Sequence, residues 1–272
     1  MQPIKIRIKT AGLGSSHIFP TFTAMNDKIR NSAEWMAALD RAVKPGKAEV
    51  LSRFFKTGKG EYGEGDTFIG VMVPDNRKVA KLAADAPLEE VEKMLRSGVH
   101  EHRGSALLSL VERFKKHKKD SEARKQIVDF YLSHTSGINN WDLVDLSAPY
   151  IIGLQMADVD GFDPTAAMLK SANIWEQRIA VVATMTLIRK GRFAEALRNV
   201  ETLLHHDHDL LQKANGWMLR EIGKRDEPTL TAFLDRHAAT MPRTTLRYAI
   251  ERLGAEQKKA YMSKKKHSAN SL

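Results

Sequence analysis

The sequence predicts an all-α protein, and three observations carry that prediction. Apolar residues recur at helical spacing over most of the chain. The breakers Gly137, Gly161, Pro164, Gly191, Pro228 and Pro242 fall between those segments rather than inside them. No series of alternating strands appears; the short alternation in KIRIK has nothing to pair with. Residues 1–24 therefore read as a basic, poorly structured leader, and Met25 begins the first helical pattern. Helices are expected over 25–43 and 47–55, followed by a glycine-rich loop at 57–70. An Asp75–Asn76 cap opens 75–85, and Pro87 suits the first turn of 87–97. Further helices are expected over 100–118, 121–134, 141–152, 163–170, 174–190, 193–204, 208–223, 227–239 and 243–253. One domain over 25–255 with a lysine-rich tail at 256–272 follows from this reading.

Five of these segments look alike. Those starting at Arg103, Asp142, Arg178, Lys213 and Arg247 each place a polar residue before small and branched apolar residues, and recur every 34–39 residues. A drifting period of this kind is what paired-helix solenoids show, and their concave faces bind extended partners. The pattern by itself leaves an irregular helical bundle open.

Composition narrows the class. The chain has 272 residues, 42% of them hydrophobic, and no cysteine, so disulfides and cysteine-based zinc sites are excluded and a reducing cytoplasm is the simplest home. No apolar run approaches the roughly 20 residues of a membrane helix, and no secretory h-region follows the basic start. The net charge of +10 points toward nucleic acid, but most of the excess sits in residues 1–24 and 256–272, so the body needs a local argument.

Three local patterns supply one. In NNWDLVD, Asn140 is a natural N-cap, so Trp141 and Asp145 share a helix face while Asp142 points elsewhere, toward the helix dipole. A core tryptophan beside a solvated aspartate explains that pair as readily as a working site does. In LLQKANGWMLREIGK, Lys213, Trp217, Arg220 and Lys224 form one cationic stripe with an aromatic in its middle. The opposite face, Leu211, Ala214, Met218 and Ile222, already supplies a core side. The stripe is either an indole under lysine and arginine stems or a surface for phosphate and base. In NIWEQRIAVV, Arg178 opens an otherwise apolar helix and needs an acid from another helix or a ligand.

At these residues a resemblance becomes specific. WDLVD, NIWEQR and GWMLRE stand in that order, with FFKTGKGEYGEGDTFIGVMVP before them and MPRTTLRYAIERL after. Together they resemble the AlkD-like DNA alkylation repair glycosylases, a family of HEAT-like helical repeats, over residues 26–254. The resemblance implies a curved α-α superhelix acting as a monomer on double-stranded DNA that contains alkylated purines, with no membrane partner, metal, nucleotide or other cofactor. It implies that Trp141, Asp145 and Trp217 form a catalytic cluster. Arg178 would lie beside the backbone of the damaged strand and Arg220 and Lys224 would contact the DNA backbone; the stripe adds Lys213 as a DNA-binding candidate. Asp209 and Leu210 stand where the family often carries aromatics, which puts one contact to the opposite strand in doubt. The implied reaction is excision of 3-methyladenine and 7-methylguanine without deep base flipping. Two rivals are a catalytically silent binder of DNA structures and a helical-repeat scaffold for other proteins.

Three motifs are decoys on this reading. GKGEYG (58–63) fits a dinucleotide pattern, but no strand precedes it and its acids would repel pyrophosphate, so it reads as a turn-rich loop. HHDHD (205–209) reads as a helix–helix turn before a metal site, and HEHR (100–103) lacks the H-E-x-x-H spacing and reads as a helix start.

Overall fold

The computed structural model describes residues 28–264. Helices α1 (Ser32–Asp40), α2 (Lys47–Phe54), α3 (Val73–Leu82), α4 (Leu88–Leu95), α5 (His100–Lys116) and α6 (Ser121–Ser133) form the first half. The second half holds α7 (Trp141–Ser147), α8 (Ile152–Asp158), α9 (Thr165–Met168), α10 (Ile174–Val182), α11 (Met185–Arg189), α12 (Ala194–Thr202), α13 (Asp209–Gly223), α14 (Glu227–His237), α15 (Arg243–Ala249) and α16 (Ala255–Ser263). Among the described residues the only extended pairing is two isolated bridges, Val43 with Val71 and Thr67 with Val99. No helix among them is long and apolar enough to cross a membrane.

The helices stack as a solenoid of repeats. Helices α3, α5, α7, α10, α13 and α15 pack in succession as one row. The five look-alike segments fall on the last five of these. A second layer packs behind it, with α4, α6, α12 and α14 against α5 or α13 and α8 against α11. A single continuous core runs between the layers, from Trp35 and Leu39 through Leu107, Leu143 and Val181 to Phe233 and Leu246. Close approach within the row depends on Gly216: a Cβ there would lie 2.4 Å from Tyr248 Cβ and 2.5 Å from Thr245 O. That lets α13 and α15 sit nearly backbone to backbone.

Several boundaries differ from the sequence reading. Residues 25–27 and the leader lie outside the described residues; helix α1 starts at Ser32 because Asn31 caps it through Glu34 N. The stretch 141–152 is broken at Pro149, which has no N–H for a helix, after Ser147 Oγ has bonded back to Leu143 O at 2.6 Å. The stretch 174–190 is likewise divided near Thr184, whose Oγ1 bonds back to Val181 O at 2.6 Å. The expected tail at 256–272 needs correction: α16 occupies Ala255–Ser263, with Tyr261 buried and its hydroxyl donating to Asp235 Oδ1 at 3.1 Å. Tyr261 supplies the apolar anchor that the lysines around it obscured.

Candidate active site

Helix α7 is set by its cap. Asn140 is extended and its Oδ1 accepts from Trp141 N at 2.8 Å. This phase puts Trp141 and Asp145 on one face, both half-buried. The Trp141 ring stacks on Phe55 (centroids 5.2 Å apart, planes 25° apart) and meets the exposed Phe54 edge-on at 5.9 Å. Its Nε1 donates to the Tyr62 hydroxyl at 3.3 Å. Beside it opens an apolar cavity of about 320 Å³, walled by Phe54, Phe55, Met72, Val73 and Trp141.

Asp145 is claimed by the next helix of the row. Arg178 Nε donates to Oδ1 at 3.0 Å and Nη2 to Oδ2 at 2.9 Å, a bidentate pair. The third guanidinium nitrogen, Nη1, donates to Leu210 O at 2.6 Å at the start of α13. Three consecutive row helices, α7, α10 and α13, are thus tied through one arginine. The Asp145 side chain keeps 20% of its surface, against 6% for Arg178. Burial raises the Asp145 pKa above the ordinary carboxylate value and Asp142 adds to this, while the Arg178 charge and hydrogen bonds oppose it. The missing acid expected for Arg178 is therefore Asp145. The guanidinium is buried and holds the carboxylate.

Asp142 does more than face the helix dipole. Its Oδ2 pairs with His100 Nε2 at 2.9 Å, and His100 Nδ1 pairs with Asp66 Oδ2 at 2.9 Å. Asp66 also accepts from Arg103 Nη2 at 2.5 Å and Asn139 Nδ2 at 3.1 Å. Burial would lower the His100 pKa, but the two aspartates outweigh it and push it up to about 9. The imidazolium stacks on Phe68 at 4.5 Å and lies 5.0 Å from Phe55, which carries Trp141 on its other side. HEHR thus does open α5, but it also seats α7 and the loop at 57–70. The sequence signal was two aspartates, Asp66 and Asp142, with no visible partner.

The stripe on α13 is present as expected. Leu211, Ala214, Met218 and Ile222 are buried, and Trp217 is half-buried with part of its ring against the core. Every cation of the stripe has an acid: Lys213 with Asp209 at 2.6 Å, Arg220 with Glu251, and Lys224 with Glu221 at 2.5 Å. Among the described residues no hydrogen bond or ring contact joins Trp217 directly to Trp141 or Asp145. Trp217 lies on α13, two helices along the row from α7.

The decoys resolve physically. Gly58 N and Gly60 N, the amides a phosphate would use, donate to Glu61 and Glu64 at 3.0 and 2.7 Å. His206 and His208 turn their Nδ1 atoms onto His208 N and Leu210 N at 3.0 and 3.2 Å. Sequence reasoning missed Tyr62, Phe54 and Phe55, which enter the site from the loop and helix before it.

Fold and site together define a helical-repeat protein with a carboxylate–guanidinium pair held beside a half-exposed tryptophan. The family follows from sequence comparison: a profile of the DNA alkylation repair enzymes matches residues 35–253, and the chain belongs to that family. A predicted DNA alkylation repair enzyme from Enterococcus faecalis has a similar solved structure, with TM-score 0.60 and 15% identity, over 78% of this chain and 97% of that one. At that identity the likeness speaks for the fold. Comparison with curated proteins gives no match.

Proposed function

We propose that the protein is a DNA glycosylase that excises cationic alkylpurines, 3-methyladenine and 7-methylguanine, from duplex DNA. The observation that carries this reading is the bidentate Asp145–Arg178 pair, partly open to solvent beside Trp141, in a chain of the DNA alkylation repair family.

Alkylation leaves the base positively charged, so it departs as a neutral molecule and needs no general acid. The C1′–N9 bond breaks with its electrons going to the base, and positive charge grows on the deoxyribose. Asp145 faces that charge and orients a water toward C1′; the water's proton passes to the carboxylate or to solvent. Arg178 holds both carboxylate oxygens in place, and each oxygen retains a lone pair for water. Trp141 and Trp217 offer π faces to the cationic sugar and base, each worth roughly 1–2 kcal/mol when desolvated. Lys213 exchanges Asp209 for a phosphate at little cost, because an exposed pair contributes only about 0–1 kcal/mol.

The test is direct. Methylated duplex DNA is incubated with the protein and free bases are separated by chromatography. Release of 7-methylguanine and 3-methyladenine is expected. Salt-dependent binding without release would favour the silent DNA-structure binder, and absence of both would favour a protein scaffold.

A further inference from the structure

We infer that Tyr62, on the loop between α2 and α3, is a positioning residue of the proposed site: its hydroxyl fixes the Trp141 indole, and its ring joins Trp141 to Trp175 in one aromatic wall. The inference rests on the glycosylase reading.

The loop is a built arch. The buried Glu101 carboxylate accepts the backbone amides of Ile69, Gly70 and Val71 at 2.7–3.2 Å, and Asp66 is held by His100, Arg103 and Asn139. Gly63, beside Tyr62, packs so closely that a Cβ would lie 2.3 Å from Phe55 O. This arch places Tyr62 across two row helices, because it bonds Trp141 on α7 and stands edge-on to Trp175 on α10 with ring centroids 6.5 Å apart. The indole N–H is the one polar handle of a tryptophan, so an acceptor on it sets the ring's plane. Among the described residues the Tyr62 hydroxyl proton has no acceptor of its own, which leaves it free to donate to a sugar or phosphate oxygen.

The test is a double-mutant cycle of Tyr62→Phe and Trp141→Phe, read in two ways. Indole N–H resonances, with Trp141 assigned by its loss in Trp141→Phe, are recorded without substrate. Single-turnover release of 7-methylguanine is then measured on all four proteins. Tyr62→Phe is expected to move the Trp141 resonance, to slow release roughly three- to tenfold and to weaken duplex affinity about twofold, with melting temperature unchanged. In the Trp141→Phe background the same change is expected to cost less than about twofold. An unmoved resonance, or an equal loss in both backgrounds, overturns the inference. A wild-type protein that releases no base defeats the glycosylase reading instead. The cycle is then read on affinity for duplex holding a tetrahydrofuran abasic analogue, where additivity overturns the positioning role and coupling upholds it.

Discussion

Two tryptophans of the same helical row stand among charges, yet their surroundings differ in kind. Around Trp141 the charges are buried and tied to backbone or to each other: Asp145 with Arg178, His100 with Asp66 and Asp142. Around Trp217, Lys213 and Lys224 lie at the rim, 39% and 37% exposed, whereas Arg220 is 19% exposed and the Lys224 partner Glu221 is buried. Buried pairs resist rearrangement because removing one partner strands the other, whereas rim pairs swap partners freely. On the proposed function, one region holds geometry and the other docks a polyanion, a division that mutation can break.

The largest effect is expected at Arg178. Arg178→Ala leaves Asp145 buried without its partner, which costs about 3–5 kcal/mol of stability. It also removes the charge that opposes the burial-driven rise of the Asp145 pKa, so the acid limb of the activity profile is expected to move to higher pH. Denaturant melts and a pH series of single turnovers check both. An unchanged melt would erase the contrast between the two regions.

A smaller effect is expected from His100. Its folded pKa of about 9 exceeds the unfolded value of 6.5. The stabilisation is therefore fully present below pH 6.5 and is lost as pH rises through about 9. Unfolding free energy should fall over that window in the wild type and stay flatter in His100→Gln. The smallest effect is expected at the rim. Lys224→Ala should leave stability within about 0.5 kcal/mol and reduce the salt slope of DNA binding by about one. A stability loss matching that of Arg178→Ala would show that the rim also holds structure.

Much of this was legible in the sequence. The repeat row was visible because each of its helices must bury a similar apolar face, so Asp142, Arg178, Lys213 and Arg247 mark corresponding starts. The shared face of Trp141 and Asp145 was visible because helical geometry is local. That Arg178 needs a partner was visible, but not whether it was an acid of another helix or a ligand, since a pairing across 33 residues depends on how two helices dock. Tyr62 and His100 were not visible as site residues, because the loop's path depends on long-range bonds from Asp66 and the amides of Ile69 and Gly70 to His100 and Glu101 of α5. Helix α16 was hidden by a lysine-rich composition in which one tyrosine provides the anchor.

Asp145→Asn offers the most direct test of the whole account. The amide keeps the size of the carboxylate and an acceptor for Arg178 but loses the charge. Single-turnover release of 7-methylguanine should drop roughly 10²–10⁴-fold while affinity for the same duplex stays nearly constant. Release at the wild-type rate by a folded Asp145→Asn protein would contradict it.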